Sequence, residues 1–129
     1  GEGDNRNKIL NLLLKNYKNN KKLKLSPGEQ EIDYVNILDI CELIKLICSD
    51  IKKKKIIGFK KYTVSSNNPI TLIKLIKILK KNLKRNLDVE IGALKYRDNE
   101  SMKTLKKIFN YKSWKPKSNL IADLKKIFD

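Results

Sequence analysis

The chain has 129 residues, with 30 Lys and Arg against 14 Asp and Glu and no His, for a formal charge of +16. That is the length of one domain, and 40% apolar residues are enough to build a core, which excludes a wholly disordered chain. Because 27 of the cations are Lys and only 3 are Arg, beside 14 Asn and 17 Ile, the charge points to a biased codon supply before it points to nucleic acid, where Arg is favoured.

In chain order, Gly1-Glu2-Gly3 looks like half of a phosphate-binding glycine loop. No strand precedes it and no third Gly follows, so a nucleotide fingerprint is rejected. Gly1 to Arg6 also lacks the apolar core of a secretion signal. Apolar residues at three-to-four spacing predict a helix over Asn5 to Tyr17, and the alternation Lys22, Leu23, Lys24, Leu25 predicts a strand running to Ser26. Ser26-Pro27-Gly28-Glu29 reads as a turn, followed by a second strand over 32–37.

Asp39-Ile40-Cys41-Glu42 has the form of a capping box that opens a helix over 39–51, with Ile40, Leu43, Ile44, Ile47, Cys48 and Ile51 expected inward. Lys52 to Lys55 close it, where cations suit the negative end of the helix dipole. Cys41 and Cys48 are expected to be buried, reduced thiols, which fits a cytoplasmic location. Without His, a zinc site would lack most of its ligands, so no metal is expected.

Tyr62 to Ser65 reads as a third strand, and Thr71 as the cap of the chain's best helical stripe: Leu72, Leu75, Ile76, Leu79 and Leu83 inward, lysines outward. Val89 to Leu94 is a fourth strand, Met102 to Phe109 a helix, Trp114 an anchor before Pro116, and Leu120, Leu124, Ile127 and Phe128 the stripe of a last helix. Lys interrupts every apolar run well short of the ~20 residues that span a membrane. The whole chain, 1–129, is expected to be one small mixed α/β domain with a right-handed βαβ crossover made by strand 32–37, helix 39–51 and strand 62–65.

Little catalytic chemistry is legible. A histidine base is excluded, neither Cys has a visible activating partner, and Asp33 and Asp39 read as capping and solvated groups. Arg97 stands out because Arg is rare here. It follows a strand, with Tyr96 before it and Asp98 and Glu100 after it. Its planar fork suits a diphosphate, and Tyr96 could orient it or stack on a base; pairing of Arg97 with Asp98 or Glu100 is the competing account.

Several segments, in order, resemble the C-terminal part of the extended short-chain dehydrogenases/reductases, the NAD-dependent sugar-nucleotide epimerases, dehydratases and reductases. They are Gly1 to Lys8, Pro27-Gly28-Glu29-Gln30 leading into Ile32 to Ile40, Tyr62 to Ser66 before Pro69 to Leu72, Gly92 to Arg97, and Trp114-Lys115-Pro116-Lys117. The segments around Gly28 and Gly92 to Arg97 are most similar to members that make deoxysugars for bacterial surface polysaccharides.

In that family an N-terminal Rossmann domain holds NAD(P), a Tyr-x-x-x-Lys pair moves the proton, and the C-terminal part binds the nucleotide sugar. The resemblance implies a substrate contact at Arg97 on the diphosphate, with Tyr96 beside it, Lys8 near a nucleotide contact, Glu100 at a second substrate contact and Thr63 where many members carry Asn. Ile32 stands where many have a second diphosphate Arg, and Glu2 where a Pro is usual. The glycine fingerprint and the catalytic pair have no counterpart, since Tyr17 and Lys21 fall at a helix end. The expectation is therefore a substrate-binding part of such an enzyme, inactive alone and binding no cofactor itself, separated from its NAD(P) domain by gene splitting or decay. Its partners would be a UDP-, CDP- or dTDP-sugar and a separate N-terminal Rossmann half, with no membrane. A small basic nucleic-acid module, or an inactive remnant, is the alternative; few aromatics and few Arg argue against the former.

Overall fold

The computed structural model describes residues 6–105, 109–112 and 114–128. In chain order they form α1 (Ile9–Lys18), β1 (Leu23–Leu25), β2 (Glu31–Ile32), α2 (Ile37–Lys52), β3 (Ile70–Thr71), α3 (Leu72–Asn82), β4 (Val89–Ile91) and α4 (Leu120–Phe128). The core gathers around α3, whose Leu72, Leu75, Ile76 and Leu79 are all sealed from solvent. Its stripe is the one predicted, and the Thr71 hydroxyl caps it by accepting the Lys74 N–H at 3.2 Å. Onto this stripe pack Leu13 and Tyr17 of α1 and Leu124 and Phe128 of α4, with the Tyr17 and Phe128 rings edge to face at 5.7 Å.

The strands are short and come in two pairs. β1 runs parallel to β4, matching Leu23 with Val89 and Leu25 with Ile91, while β2 pairs antiparallel with β3. A parallel pair needs a crossover between its strands, and here it is the long excursion through α2 and α3. Between β1 and β2 the chain turns through Gly28 at φ +80° and lies on the start of α3, whose Ile73 N–H donates to the Gly28 carbonyl at 3.0 Å. A Cβ there would sit 3.1 Å from the Ile73 side chain, so glycine serves both the left-handed backbone and the close approach.

The small mixed α/β class with parallel strands is therefore observed, but several elements differ from their predicted form. The strand expected over 32–37 ends at Ile32, and α2 begins at Ile37. The capping side chain is Asn36, which accepts the Leu38 N–H at 2.9 Å, so Asp39 lies inside the first turn and caps nothing. Residues 62–65 are extended without being a strand. Their polar groups are used elsewhere: the Thr63 N–H donates to the Phe109 carbonyl at 2.9 Å, and the hydroxyls of Ser65 and Ser66 turn to Asp33. The predicted crossover through 62–65 is thus replaced by the one joining β1 to β4.

Of the helix expected over 102–109, residues 102–105 are not helical and 106–108 lie outside the described residues. The Met102 carbonyl instead accepts the Glu31 N–H at 3.1 Å. Ile127, expected inward, is 44% exposed on α4, and Trp114 is only half-buried.

The largest departure concerns the facing of α2. Its apolar stripe is expected to point inward, yet Ile44 and Ile51 are 53% and 52% exposed, Cys41 and Cys48 are exposed as well, and Ile37, which opens the helix instead of closing a strand, is 52% exposed. Of the expected stripe only Leu43 is fully buried, and it shares the buried side with two carboxylates, Asp39 and Asp50. Both carboxylates are held by distant partners. Asp39 accepts the backbone N–H groups of Lys117 and Ser118, each at 3.1 Å. Burial works against its charge, but the hydrogen bonds of Ser118 and Lys117 outweigh it and keep its carboxyl below the usual range. Asp50 accepts from the Lys112 ammonium and the Tyr111 hydroxyl, and these two bonds depress its pKa against the effect of burial. A third tie joins the Asn36 amide to the Asp123 carboxylate at 2.8 Å. Among the described residues, no helix is long and apolar enough to cross a membrane.

Candidate functional site

A cleft of about 540 Å³ opens between the strand-edge residues Glu31 to Asp33, the segment 63–69 and residues 101–105. One wall is fixed by Asp33. Its carboxylate accepts the Ser65 hydroxyl at 2.5 Å, the Ser66 N–H at 3.1 Å and the Ser66 hydroxyl, while the same two hydroxyl oxygens accept the N–H groups of Asn67 and Asn68. A carboxylate that organises a loop in this way leaves the loop rigid before any ligand arrives. Across the cleft, Lys103 reaches Glu31 at 2.9 Å. The lining therefore offers one ammonium, hydroxyls from Ser101 and Thr104 and the Asn67 amide, with neither thiol nor imidazole among its described residues. That set can bind a polar, hydroxyl-rich ligand by hydrogen bonds, with the Asp33 carboxylate already engaged by the hydroxyls of Ser65 and Ser66.

Of the residues singled out from the sequence, Thr63 lines this cleft, though its hydroxyl is engaged by the Phe109 N–H at 3.3 Å. Glu100 directly precedes the cleft residue Ser101 and is half-buried. Its N–H donates to the Arg97 carbonyl at 3.0 Å, closing a turn over 97–100. Tyr96 anchors that turn from the other end, its hydroxyl accepting the Glu29 N–H at 3.0 Å. It orients the segment and does so as a tether to the glycine turn.

Arg97 itself is exposed, and among the described residues it forms no ion pair with Asp98 or Glu100. Lys8 is exposed at the start of α1 and does not line the cleft. The structure thus groups Tyr96, Arg97 and Glu100 on one turn that continues into the cleft wall, places Thr63 in the wall opposite, and leaves Lys8 apart. Asp33 was read as a solvated group; its role depends on Ser65 and Ser66, whose adjacency is visible in the sequence as a hydroxyl-rich turn but whose partner is not.

No family model matches the chain. In sequence it is 30% identical over 103 residues to CDP-abequose synthase of Yersinia pseudotuberculosis, a match covering 79% of this chain and 35% of that protein. In structure it superposes on the UDP-N-acetylglucosamine 4-epimerase of Methanobrevibacter ruminantium M1, solved with UDP-N-acetylmuramic acid, with a TM-score of 0.66 at 15% identity over 99% of this chain and 39% of that one. The chain resembles part of a sugar-nucleotide epimerase/dehydratase of the short-chain dehydrogenase/reductase class. The UDP-glucose 4-epimerase of Thermotoga maritima, solved with UDP-glucose, gives a TM-score of 0.62 at 16% identity, covering 92% and 37% of the two chains. The chain spans little more than a third of each of these relatives.

The cofactor implied by an epimerase/dehydratase, NAD(P), calls for a glycine-rich strand-to-helix turn and a Tyr-x-x-x-Lys pair. Neither is furnished by the described residues. Gly28, Gly58 and Gly92 are isolated from one another, and Gly28 is spent on packing against Ile73. Tyr17 and Lys21 have the catalytic spacing, but Tyr17 is buried against Phe128 with the Arg85 guanidinium 4.7 Å above its ring and the Arg85 N–H on its hydroxyl. It is a core residue. Among the described residues no cluster of three or more His, Cys, Asp or Glu could hold a metal ion.

Proposed function

We propose that the chain is the nucleotide-sugar-binding portion of an NAD(P)-dependent epimerase, dehydratase or reductase acting in the cytoplasm on precursors of deoxysugars or surface polysaccharide. The observation that carries this reading is the Tyr96 to Glu100 turn: it is tethered to Glu29 through Tyr96, closed on itself by the Glu100 N–H on the Arg97 carbonyl, projects the one Arg of the segment without an acidic partner among the described residues, and runs into the cleft wall at Ser101. Arg97 would grip the diphosphate, Tyr96 and Glu100 would hold the turn, and Thr63 with the 65–68 loop would face the sugar or base. Lys8 would add a peripheral charge to the nucleotide.

In this reading the chain contributes substrate binding, while hydride and proton transfer belong to a cofactor domain. It accordingly neither binds NAD nor turns over a sugar nucleotide by itself. The base is cytosine, uracil or thymine; one relative in sequence bears CDP in its name, and the two structural neighbours were solved with UDP-sugars.

The test is an amide-shift titration of the isolated chain with CDP-, UDP- and dTDP-glucose. Shifts should cluster at 96–101 and 63–68, and Arg97→Ala should weaken the response by roughly ten- to a hundredfold, the equivalent of the ~1.5–3 kcal/mol carried by a charge-assisted hydrogen bond. No shift with any of the three nucleotides, or an unchanged affinity in Arg97→Ala, defeats the reading.

A further inference from the structure

The cleft wall over 63–66 is fastened at two places. Ser65 and Ser66 are held by Asp33, which lines the same cleft. Thr63 is held from the segment 109–112 instead: its N–H donates to the Phe109 carbonyl at 2.9 Å, and its hydroxyl oxygen accepts the Phe109 N–H at 3.3 Å. A threonine hydroxyl has a single hydrogen, and among the described residues no acceptor takes the one on Thr63. The grip of Phe109 therefore leaves Thr63 able to donate to an oxygen of whatever fills the cleft.

Segment 109–112 is held in turn by a small cluster outside the main core. The Tyr111 side chain is fully buried, meets Tyr62 edge to face with 4.9 Å between ring centroids, and gives its hydroxyl to the Asp50 carboxylate near the end of α2. Because Tyr62 precedes Thr63, the ring contact and the Phe109 bonds grip adjacent residues of the wall. Lys112 brings its ammonium to the same carboxylate from a left-handed backbone at φ +50°, and lies 5.3 Å from the centre of the Tyr111 ring. A residue with a Cβ keeps that backbone conformation where its surroundings over-determine it. Asp50 supplies the reason here, since its carboxylate is only 5% exposed and would be stranded without these donors; Lys55 adds a longer contact at 3.9 Å.

We propose that Tyr111 and Asp50 are positioning residues for the cleft, their clasp holding Phe109 so that it fixes Thr63 in the wall with its hydroxyl hydrogen turned to use by a ligand. Neither residue lines the cleft, so both act through Phe109 and Thr63. The inference rests on the substrate-binding role proposed above, and its first readout needs no ligand.

That readout is amide hydrogen exchange on the full chain, because the N–H groups of Thr63 and Phe109 are themselves the two bonds in question. Tyr111→Phe keeps the ring on Tyr62 and removes only the hydroxyl. Exchange at Thr63 and Phe109 should rise about tenfold, while Ser66, held by Asp33, and the amides of α3 stay as they are. Asp50→Ala should loosen the same two amides at least as much, and the double variant no further than Asp50→Ala alone, as two halves of one bond require. Unchanged exchange in Tyr111→Phe, a rise shared by α3, or additive loosening in the double variant overturns the proposal.

The second readout is titration with CDP-, UDP- and dTDP-glucose. Tyr111→Phe should weaken binding by about three- to tenfold, the effect of a neutral hydrogen bond, and shrink the ligand-induced shift at Thr63 while leaving those at 96–101. A general loss of structure would reduce both sets together and counts against the proposal. If none of the three nucleotides binds the wild-type chain, the substrate-binding reading fails and exchange at Thr63 still decides the clasp. If the wild type binds and Tyr111→Phe binds equally, with the full shift at Thr63, the clasp fails and the reading stands.

Discussion

Helices α2 and α3 have nearly the same design on paper and opposite fates in the fold. Each carries an apolar stripe at three-to-four spacing and a side-chain cap at its start. α3 lays its stripe against α1 and α4 and becomes the centre of the core; α2 turns its stripe to solvent and is held by hydrogen bonds to carboxylates. Amphipathicity therefore reports that a helix has a face to cover, without reporting whether this chain covers it. Where the covering is internal, burial supplies the stability. In α2 the stripe stays exposed and polar tethers hold the helix instead, with partners 61 to 87 residues away along the chain.

The contrast is broken most directly by one truncation on each helix. Leu75→Ala should cost about 2–5 kcal/mol, since the side chain is fully buried and leaves a cavity in the core. Ile44→Ala in the isolated chain should stay within about 0.5 kcal/mol, as exposed substitutions do. Urea unfolding measures both, and equal losses would mean that α2 is packed after all.

Next in size is the acid response of the tethers. Asp39 and Asp50 have folded pKa values below that of an unfolded carboxylate, so their contribution is complete above about pH 4 and is lost as the pH falls from there toward the folded values. Hydrogen exchange of α2 amides between pH 6 and pH 3 should show α2 loosening before α3, and Asp50→Asn should flatten part of that dependence. Simultaneous loosening of the two helices is the opposing result.

The smallest effect is at the caps. Thr71→Ala should lower global stability by about 1 kcal/mol, because α3 unfolds only with the core. Asn36→Ala should speed exchange in the first turn of α2 with little change in the global midpoint, and a full loss of midpoint there would join the two helices into one cooperative unit.

What was legible in the sequence divides along the same line. α1, β1, α3 and α4 were readable because their determinants are local: periodicity, alternation and the Thr71 cap. The existence of α2 was readable and its facing was not, because Asp39 and Asp50 are drawn inward by Ser118, Tyr111 and Lys112, which no local window contains. The segment 62–65 has the alternation of a strand, but its backbone and side-chain partners at Phe109 and Asp33 come from elsewhere in the chain. At the candidate site, Arg97 could be picked out by rarity and by resemblance. The anchoring of Tyr96 on Glu29 and the organising role of Asp33 needed contacts spanning 67 and 32 residues.

The parallel pairing of Leu23 with Val89 has a kinetic consequence. Bringing those strands together closes a loop of more than sixty residues, an entropic cost of about 4 kcal/mol beyond the constant term, so the pair forms only once the intervening chain has contracted around α3. Because that cost grows with the logarithm of loop length, doubling the excursion would add only about 0.6 kcal/mol. The stretch after α2 is thus a place where evolution can lengthen or shorten the chain at little thermodynamic penalty, while the order in which the two strands meet stays the same.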